Sequence, residues 1–241
     1  MVFPMLVSQN ELELKMSARE YLSSVKDIIR NVQKEDNGKE YIRLRKGLVK
    51  NLIEEALPIG YFADKHFNSD PNVFIELKVG NQKYDAIVDD RRNMPGNIKY
   101  IEVTTTTVVG AANGYEDFLF RYQLHTTGHS GTGKIKNEGS KHRGMRVKLE
   151  RNGVDQSEVV AHERQTVQEA IDRKIKDEEH YPENTALIIS FDDTYAFDHK
   201  ENQQNLQAVL NRNSANLARY NFDMVAIVGL HKGLYISCKT S

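Results

Sequence analysis

Helical and strand-like spacings of apolar residues divide the chain into a small set of elements. In 11–33, Leu14, Tyr21, Leu22, Val25 and Ile29 fall near helical spacing, and the KEDNGK stretch at 34–39 breaks the run. A second helix is predicted over 39–57, with Tyr41, Leu44, Leu48, Leu52 and Ile53 on one side, ended by Pro58 and Gly60. Three strands follow. Residues 73–78 (VFIELK) and 83–88 (KYDAIV) are joined by Val79-Gly80-Asn81-Gln82, a connection typical of a hairpin. Residues 99–105 (KYIEVTT), after the polar DDRRNMPGN, are rich in β-branched side chains.

Residues 114–125 form a short helix in this reading, the Gly-rich 126–144 a mobile loop, and 145–150 a strand. A clear helix over 156–179 has Val160, Val167, Ile171 and Ile175 as its stripe. TALIISF at 185–191 is a buried strand. A helix over 201–219 and a hairpin of 222–229 (FDMVAIVG) with 233–238 (GLYISC) close the chain. The pattern predicts an α/β fold, a mixed central sheet flanked by helices. With no repeat or low-complexity linker, one domain over 1–241 is the simplest organisation, with a core at about 39–191, an N-terminal helix at 11–33 and an extension at 201–238.

Hydrophobic residues at 39% and charged residues at 28% allow both a sizeable core and a solvated surface. No apolar run approaches the ~20 residues that span a bilayer, and no membrane partner is expected. MVFPMLVSQN lacks the basic n-region of a signal peptide. Cys238, the single cysteine, excludes an internal disulfide framework and a Cys-rich zinc site and fits a reducing, cytoplasmic compartment; it is expected to be a buried strand residue. Net charge is -1, unevenly spread. Between Arg121 and Arg151 eight Lys or Arg side chains stand against two acids, Glu138 and Glu150. Lys134, Lys136, Lys141, Arg143, Arg146 and Lys148 are therefore candidate phosphate contacts, although a charge run is more often a solvated loop.

The candidate chemistry lies in the strands. Asp85 and Glu102 are carboxylates among apolar strand residues (Ala86-Ile87-Val88; Ile101 and Val103). Side chains on adjacent strands can converge, and two such carboxylates repel unless a cation lies between them. Mg²⁺ takes one or two carboxylates plus waters and phosphate oxygens. If 79–82 sets the register, Glu76 faces Asp85, and a metal beside them would relieve the repulsion; so would a register slip or solvent exposure.

Asp85, sixteen intervening residues and then Glu102-Val103-Thr104, within helix–strand–strand–strand–helix–strand, resembles the PD-(D/E)XK superfamily of restriction-endonuclease-like nucleases over roughly 39–191. The resemblance implies that Asp85 and Glu102 bind Mg²⁺ or Mn²⁺ for phosphodiester hydrolysis in nucleic acid, DNA foremost. A homodimer would supply the two sites needed to cut a duplex. The family's lysine, two positions after the glutamate, is Thr104 here, and Tyr84 stands where proline often precedes the aspartate. Two lysines are candidates to replace the missing one. Lys174 lies on the 156–179 helix, with Glu163 on the same flank. Lys78 lies in Glu76-Leu77-Lys78, itself an E-x-K tripeptide that with Asp70 forms a second-ranked alternative motif. Family members often add an acid from the preceding helix; Glu40, Glu54 and Glu55 are available, and Glu40 is favoured. Gln165 and Gln168 are candidates to contact a metal-bound water or the scissile phosphate. For these helix residues, and for the strand pair itself, the plain alternative is a solvated face. Thr104 equally suits a catalytically inactive nucleic-acid- or protein-binding module on the same fold.

Gly128 to Lys134 fits G-x-x-x-x-G-K, but Ile135 follows where a P-loop needs Ser or Thr, and no strand and helix flank it, so nucleotide binding is set aside. His125, His129 and His162 lack a third zinc ligand at suitable spacing. Asp192-Asp193 is expected to begin a turn or cap the next segment.

Overall fold

A computed structural model describes residues 6–106, 113–128, 133–139, 144–151, 156–176, 180–191, 193, 199–231 and 233–240. The first part of the chain comprises α1 (Gln9–Leu12), the short strand β1 (Met16–Ser17), α2 (Ala18–Lys34), α3 (Gly38–Leu44), α4 (Leu48–Asn51) and α5 (Leu57–His66). The helix expected from residue 11 thus starts at Ala18, because β1 pairs with the sheet and Leu14 is exposed.

The helix expected to stop at Pro58 does not. A π turn over Leu52–Ala56 feeds directly into α5, with the Leu57 N–H donating to the Leu52 carbonyl five residues back. Pro58 falls in the first turn of α5, where its missing N–H is tolerated. Gly60 is buried against α2: a Cβ there would stand 3.0 Å from Leu22 Cδ1 and 3.2 Å from Leu22 Cα. Glycine is what lets the two helices approach this closely.

The strands β2 (Val73–Leu77), β3 (Ala86–Asp90), β4 (Tyr100–Thr105), β7 (Thr185–Phe191), β8 (Phe222–Gly229) and β9 (Tyr235–Lys239) join β1 in one sheet of order β1-β2-β3-β4-β7-β8-β9. β4–β7 and β7–β8 are parallel; the other pairs are antiparallel. This is a mixed central sheet flanked by helices. Strand alternation sorts two cores onto its two faces. Ile101, Val103, Ala186, Ile188 and Ala226 pack with α2 and α5. Leu187, Ile189, Val225 and Ile227 pack with α7 (Gln156–Ile175) and α8 (His199–Arg219). The β2 and β3 residues Ile75, Leu77, Ala86 and Val88 belong to the first core, whereas the alternate positions Phe74, Glu76 and Ile87 are only half-buried. The sheet is therefore enclosed on both faces at β7–β8, and its β2–β3 wing is more open on the α7 side.

Three expectations are corrected. In the β2–β3 hairpin Glu76 faces Ile87 and Leu77 faces Ala86, so the expected Glu76–Asp85 opposition does not exist. The expected loop at 126–144 is in part a strand: β5 (Gly133–Asn137) pairs antiparallel with β6 (Val147–Arg151). Ile135, Met145, Val147 and Leu149 of this hairpin pack against Leu119 and Phe120 of α6 (Gly114–Thr127), forming a small third core. Cys238 lies on β9 as expected but is half-exposed rather than buried. Among the described residues no helix is long and apolar enough to cross a membrane.

Candidate functional site

Register and alternation together bring Asp85 and Glu102 to one place. Ala86 faces Ile101 and Ile87 faces Tyr100 in the β3–β4 ladder, which ends there, and Asp85, the next residue, lies close enough to Glu102 to feel its charge. The Asp85 N–H donates to the Ile101 carbonyl at 2.7 Å and the Asp85 carbonyl accepts from the Lys78 N–H at 2.8 Å, which extends the pairing on both sides of Asp85. Ala86 and Ile101 face the α2–α5 core, so Asp85 and Glu102 project to the opposite face, toward α7. Asp85 Oδ2 accepts a hydrogen bond from the Val103 N–H at 2.7 Å. That bond fixes the carboxylate against β4.

Lys174, in the last turn of α7, forms a hydrogen-bonded ion pair through Nζ with Glu102 Oε1. The adjacent Arg173 anchors the same turn by donating to the Thr105 carbonyl at 2.6 Å. Thr104 is buried on β4, two residues after Glu102 and on the same face.

A third carboxylate joins them. Glu55, on the π turn, receives both amide hydrogens of Asn51, with Nδ2 2.9 Å from each of its oxygens. Burial raises its pKa, and the charge of Glu102 adds to that. Asp85 is pushed up to about 8, first by burial and then by the charges of Glu102 and Glu55; the Val103 N–H and Lys174 act in the other direction. Glu102 is also raised by burial, against the pull of Lys174. One buried carboxylate, Glu102, and the half-buried Asp85 thus share the Lys174 ammonium, with the half-buried Glu55 adding a further negative charge offset by Lys50.

The remaining candidates lie elsewhere. Lys78 is ion-paired with Glu76, and neither is among the groups that shift Asp85 or Glu102. Glu40 is bonded to Lys46, so the helix acid at the site is Glu55 and not the favoured Glu40. Asp70 caps the turn before β2, with Oδ1 accepting from the Asn72 N–H at 2.8 Å. Gln168 exchanges amide hydrogen bonds with Asn213 of α8 at 2.8 and 3.1 Å, and Gln165 bonds Glu169 at 2.8 Å. Both glutamines therefore serve helix surfaces. Glu163, expected on the flank of Lys174, is fully buried and accepts from Asn202 at 2.6 Å.

On the β5–β6 hairpin Lys134, Lys136, Arg146 and Lys148 are exposed. Lys136 faces Lys148 across the ladder, and Glu138 and Glu150 lie within 3.3–3.9 Å of both ammonium groups. These two acids offset the like-charge opposition and dilute the basic patch. Lys141 and Arg143 lie outside the described residues. Asp193 is buried and accepts from the His231 N–H at 2.7 Å and the Leu234 N–H at 3.2 Å, clamping the β8–β9 turn.

Among the described residues no group of three or more His, Cys, Asp or Glu side chains is gathered tightly enough to hold a metal ion by itself. Mg²⁺ needs fewer, since one or two carboxylates suffice when waters and phosphate oxygens complete its shell. Asp85 and Glu102 each engage one oxygen among the described residues, leaving Oδ1 and Oε2 to ligate. In comparisons with family models, with curated proteins and with solved structures, the chain matches none.

Proposed function

We propose that the chain is a Mg²⁺- or Mn²⁺-dependent nuclease that hydrolyses phosphodiester bonds in nucleic acid, DNA foremost, as a divergent PD-(D/E)XK enzyme. The observation that carries the reading is the Lys174–Glu102 ion pair beside Asp85, which is held to β4 by the Val103 N–H. It supplies, from α7, the cation that Thr104 cannot provide. The run α5–β2–β3–β4–α7–β7, with α6 and the β5–β6 hairpin inserted, has the order expected of that family's core.

Asp85 and Glu102 would hold the ion, with the charge of Glu55 on the π turn acting on both. A bound divalent metal lowers the pKa of its water and neutralises phosphate charge. The chain's own groups do the rest. Val103 N–H fixes Asp85 through Oδ2, which leaves Oδ1 to the ion. Lys174 positions the attacking water and offsets charge developing on the phosphate. Arg173, bound to the Thr105 carbonyl, keeps that ammonium over Glu102. Lys134 and Arg146 on the hairpin are the better phosphate contacts, because Lys136 and Lys148 are occupied with Glu138 and Glu150. Such contacts position the strand without reading its sequence.

Cleavage of plasmid, single-stranded DNA and RNA in Mg²⁺ or Mn²⁺, compared across wild type, Asp85→Ala and Glu102→Ala, is the direct test. Equal cleavage by both variants sinks the assignment. Thr104 favours the second reading, an inactive binding module, which predicts salt-sensitive nucleic-acid binding without turnover by the wild type.

A further inference from the structure

A cavity of ≈ 90 Å³ opens at the C-terminal ends of β4 and β7, outside the carboxylate site. Arg45, Arg121, Thr105, Thr106, Ser190 and His231 contribute to its wall, together with the acids Glu54 and Asp117. In sheets with parallel strands, ligands bind in the crevice beyond the carboxyl ends, where the connections diverge. Here the β4–β7 pairing runs to its end at Thr105 and Ser190, and the Thr106 N–H still donates to the Ser190 carbonyl at 2.9 Å.

The charged groups are held in place. Arg121 Nη1 donates to Glu54 Oε1 at 2.9 Å and Nη2 to Asp117, using two of the five N–H donors of a guanidinium. Arg45 is anchored by Nη1 to the Ile42 carbonyl at 3.0 Å, with its Nε 3.7 Å from Glu54. Lys50 stands 4.0 Å from the same glutamate. In the lining itself two arginines stand against two carboxylates, with three hydroxyls and an imidazole alongside, and Lys50 lies outside it. The formal charges balance, and the acids serve to orient the arginines, whose guanidinium groups have further N–H donors for an anion.

Size narrows the ligand. At the ~10–15 Å³ that one water needs, the cavity holds a handful of waters or one tetrahedral oxyanion, and not a nucleoside. Position narrows it further. Glu54 precedes Glu55 on the π turn, and Thr105 ends the strand β4 that carries Glu102 three residues earlier, so the same two elements reach both the cavity and the carboxylate site. We propose that this cavity binds the terminal phosphate monoester of a nucleic-acid strand, held next to the site where that strand is cut. A monoester carries about −1.5 to −2 charge near neutral pH, more than the single charge of an internal phosphodiester, and it enters a small cavity head-on. The proposal rests on the nuclease reading for the identity of the strand.

The test is binding without cleavage. Oligonucleotides ending in 5′-phosphate, 3′-phosphate or hydroxyl, each labelled at the far end, are titrated with the full chain in EDTA by fluorescence anisotropy. The expected result is at least tenfold tighter binding of one phosphorylated end, reduced to within twofold by Arg121→Gln. Ser190→Ala and Thr106→Val leave the ion pairs intact and should each reduce the preference severalfold, which keeps the test sharp if the arginine variant fails to fold. Equal affinity of the wild type for phosphate and hydroxyl ends overturns the proposal. Protection from thermal unfolding by millimolar inorganic phosphate, with no preference among ends, also overturns it and assigns the cavity to a free anion. A wild type that prefers a phosphorylated end but cuts nothing in Mg²⁺ or Mn²⁺ upholds the cavity while the nuclease reading falls. Cleavage dependent on Asp85 with no preference among ends does the reverse.

Discussion

Asp85→Asn should stabilise the metal-free protein at alkaline pH. Burial and the charges of Glu102 and Glu55 lift the Asp85 pKa from 3.8 to about 8. A shift of that size corresponds to a ceiling of ~6 kcal/mol of unfavourable interaction in the charged form. Glu102 and Glu55 relieve part of it by taking up the proton instead, and Lys174 loses a favourable neighbour in the variant. A net gain of about 1–3 kcal/mol is expected, which for a chain of this size raises Tm by roughly 3–10 °C. The sign follows from linkage. A raised acid pKa means that the folded state retains a proton that the unfolded state releases, so wild-type stability is undiminished below pH 3.8 and falls as pH rises through about 8. The gap between variant and wild type should therefore be near zero at pH 4 and full at pH 9. Asparagine can still accept from the Val103 N–H, so geometry is kept. Thermal melts in EDTA from pH 4 to pH 9 measure the gap. Mg²⁺ at ~100 times its Kd should add ~2.7 kcal/mol to the wild type and far less to the variant. A variant less stable than wild type at pH 9, or a gap that ignores pH, refutes the reasoning.

Lys174→Met should lower cleavage by ~10²-fold or more, the scale on which a positioned proton-handling group acts; unchanged kcat would remove Lys174 from the site. Asp193→Ala should cost about 2–4 kcal/mol in urea unfolding, because two backbone N–H groups of the β8–β9 turn lose a charged acceptor; a change under 0.5 kcal/mol would show that the turn holds without it. Gly60→Val should cost about 1–3 kcal/mol by forcing α5 off Leu22, and retention of the wild-type urea midpoint would contradict the tight α2–α5 approach.

Legibility in the sequence tracked how many alternatives each pattern left open. β7 and β8 are continuous apolar runs closed by turn residues, and both match their expected limits, 185–191 and 222–229. The β2–β3 register was not legible. Pairing Glu76 with Ile87 instead of Asp85 is a two-residue shift, which keeps every side chain on its face, so hydrophobic alternation cannot separate the two. Of the second hairpin, the strand expected at 145–150 is β6, whereas β5 was hidden by the glycines around it, yet Lys134-Ile135-Lys136 alternates as strictly as Val147-Lys148-Leu149-Glu150, and that signal marks a strand pair. At the site, Asp85, Glu102 and Lys174 followed from a motif and a helical flank. Glu55 did not, because Glu40, Glu54 and Glu55 look alike as helix acids. The π turn distinguishes the last two, which are adjacent yet serve different neighbours: Glu54 bonds Arg121 and Glu55 bonds Asn51 beside the carboxylates. A π turn has no reliable sequence signature, although such turns concentrate at functional sites.

Thr104 then has a physical explanation in Lys174. A lysine at 104 would leave β4 on the face that Glu102 uses, so the two origins deliver an ammonium to the same side of the sheet. Thr104 is buried and short, and a lysine there would need space for a longer, charged side chain on the face where Lys174 already meets Glu102. Thr104→Lys alone should be harmful: two ammonium groups would compete for Glu102, and a larger side chain would press on the last turn of α7. A loss of about 1–3 kcal/mol is expected from the overpacking. In the Lys174→Met background the same substitution meets no second charge, and it should recover at least tenfold of the cleavage that Lys174→Met removes. Cleavage in Mg²⁺ by the single and double variants, with Tm recorded beside it, decides the matter. A double variant no more active than Lys174→Met, though equally folded, would mean that the α7 lysine does something a β4 lysine cannot, and the exchange of positions would fail as an explanation of Thr104.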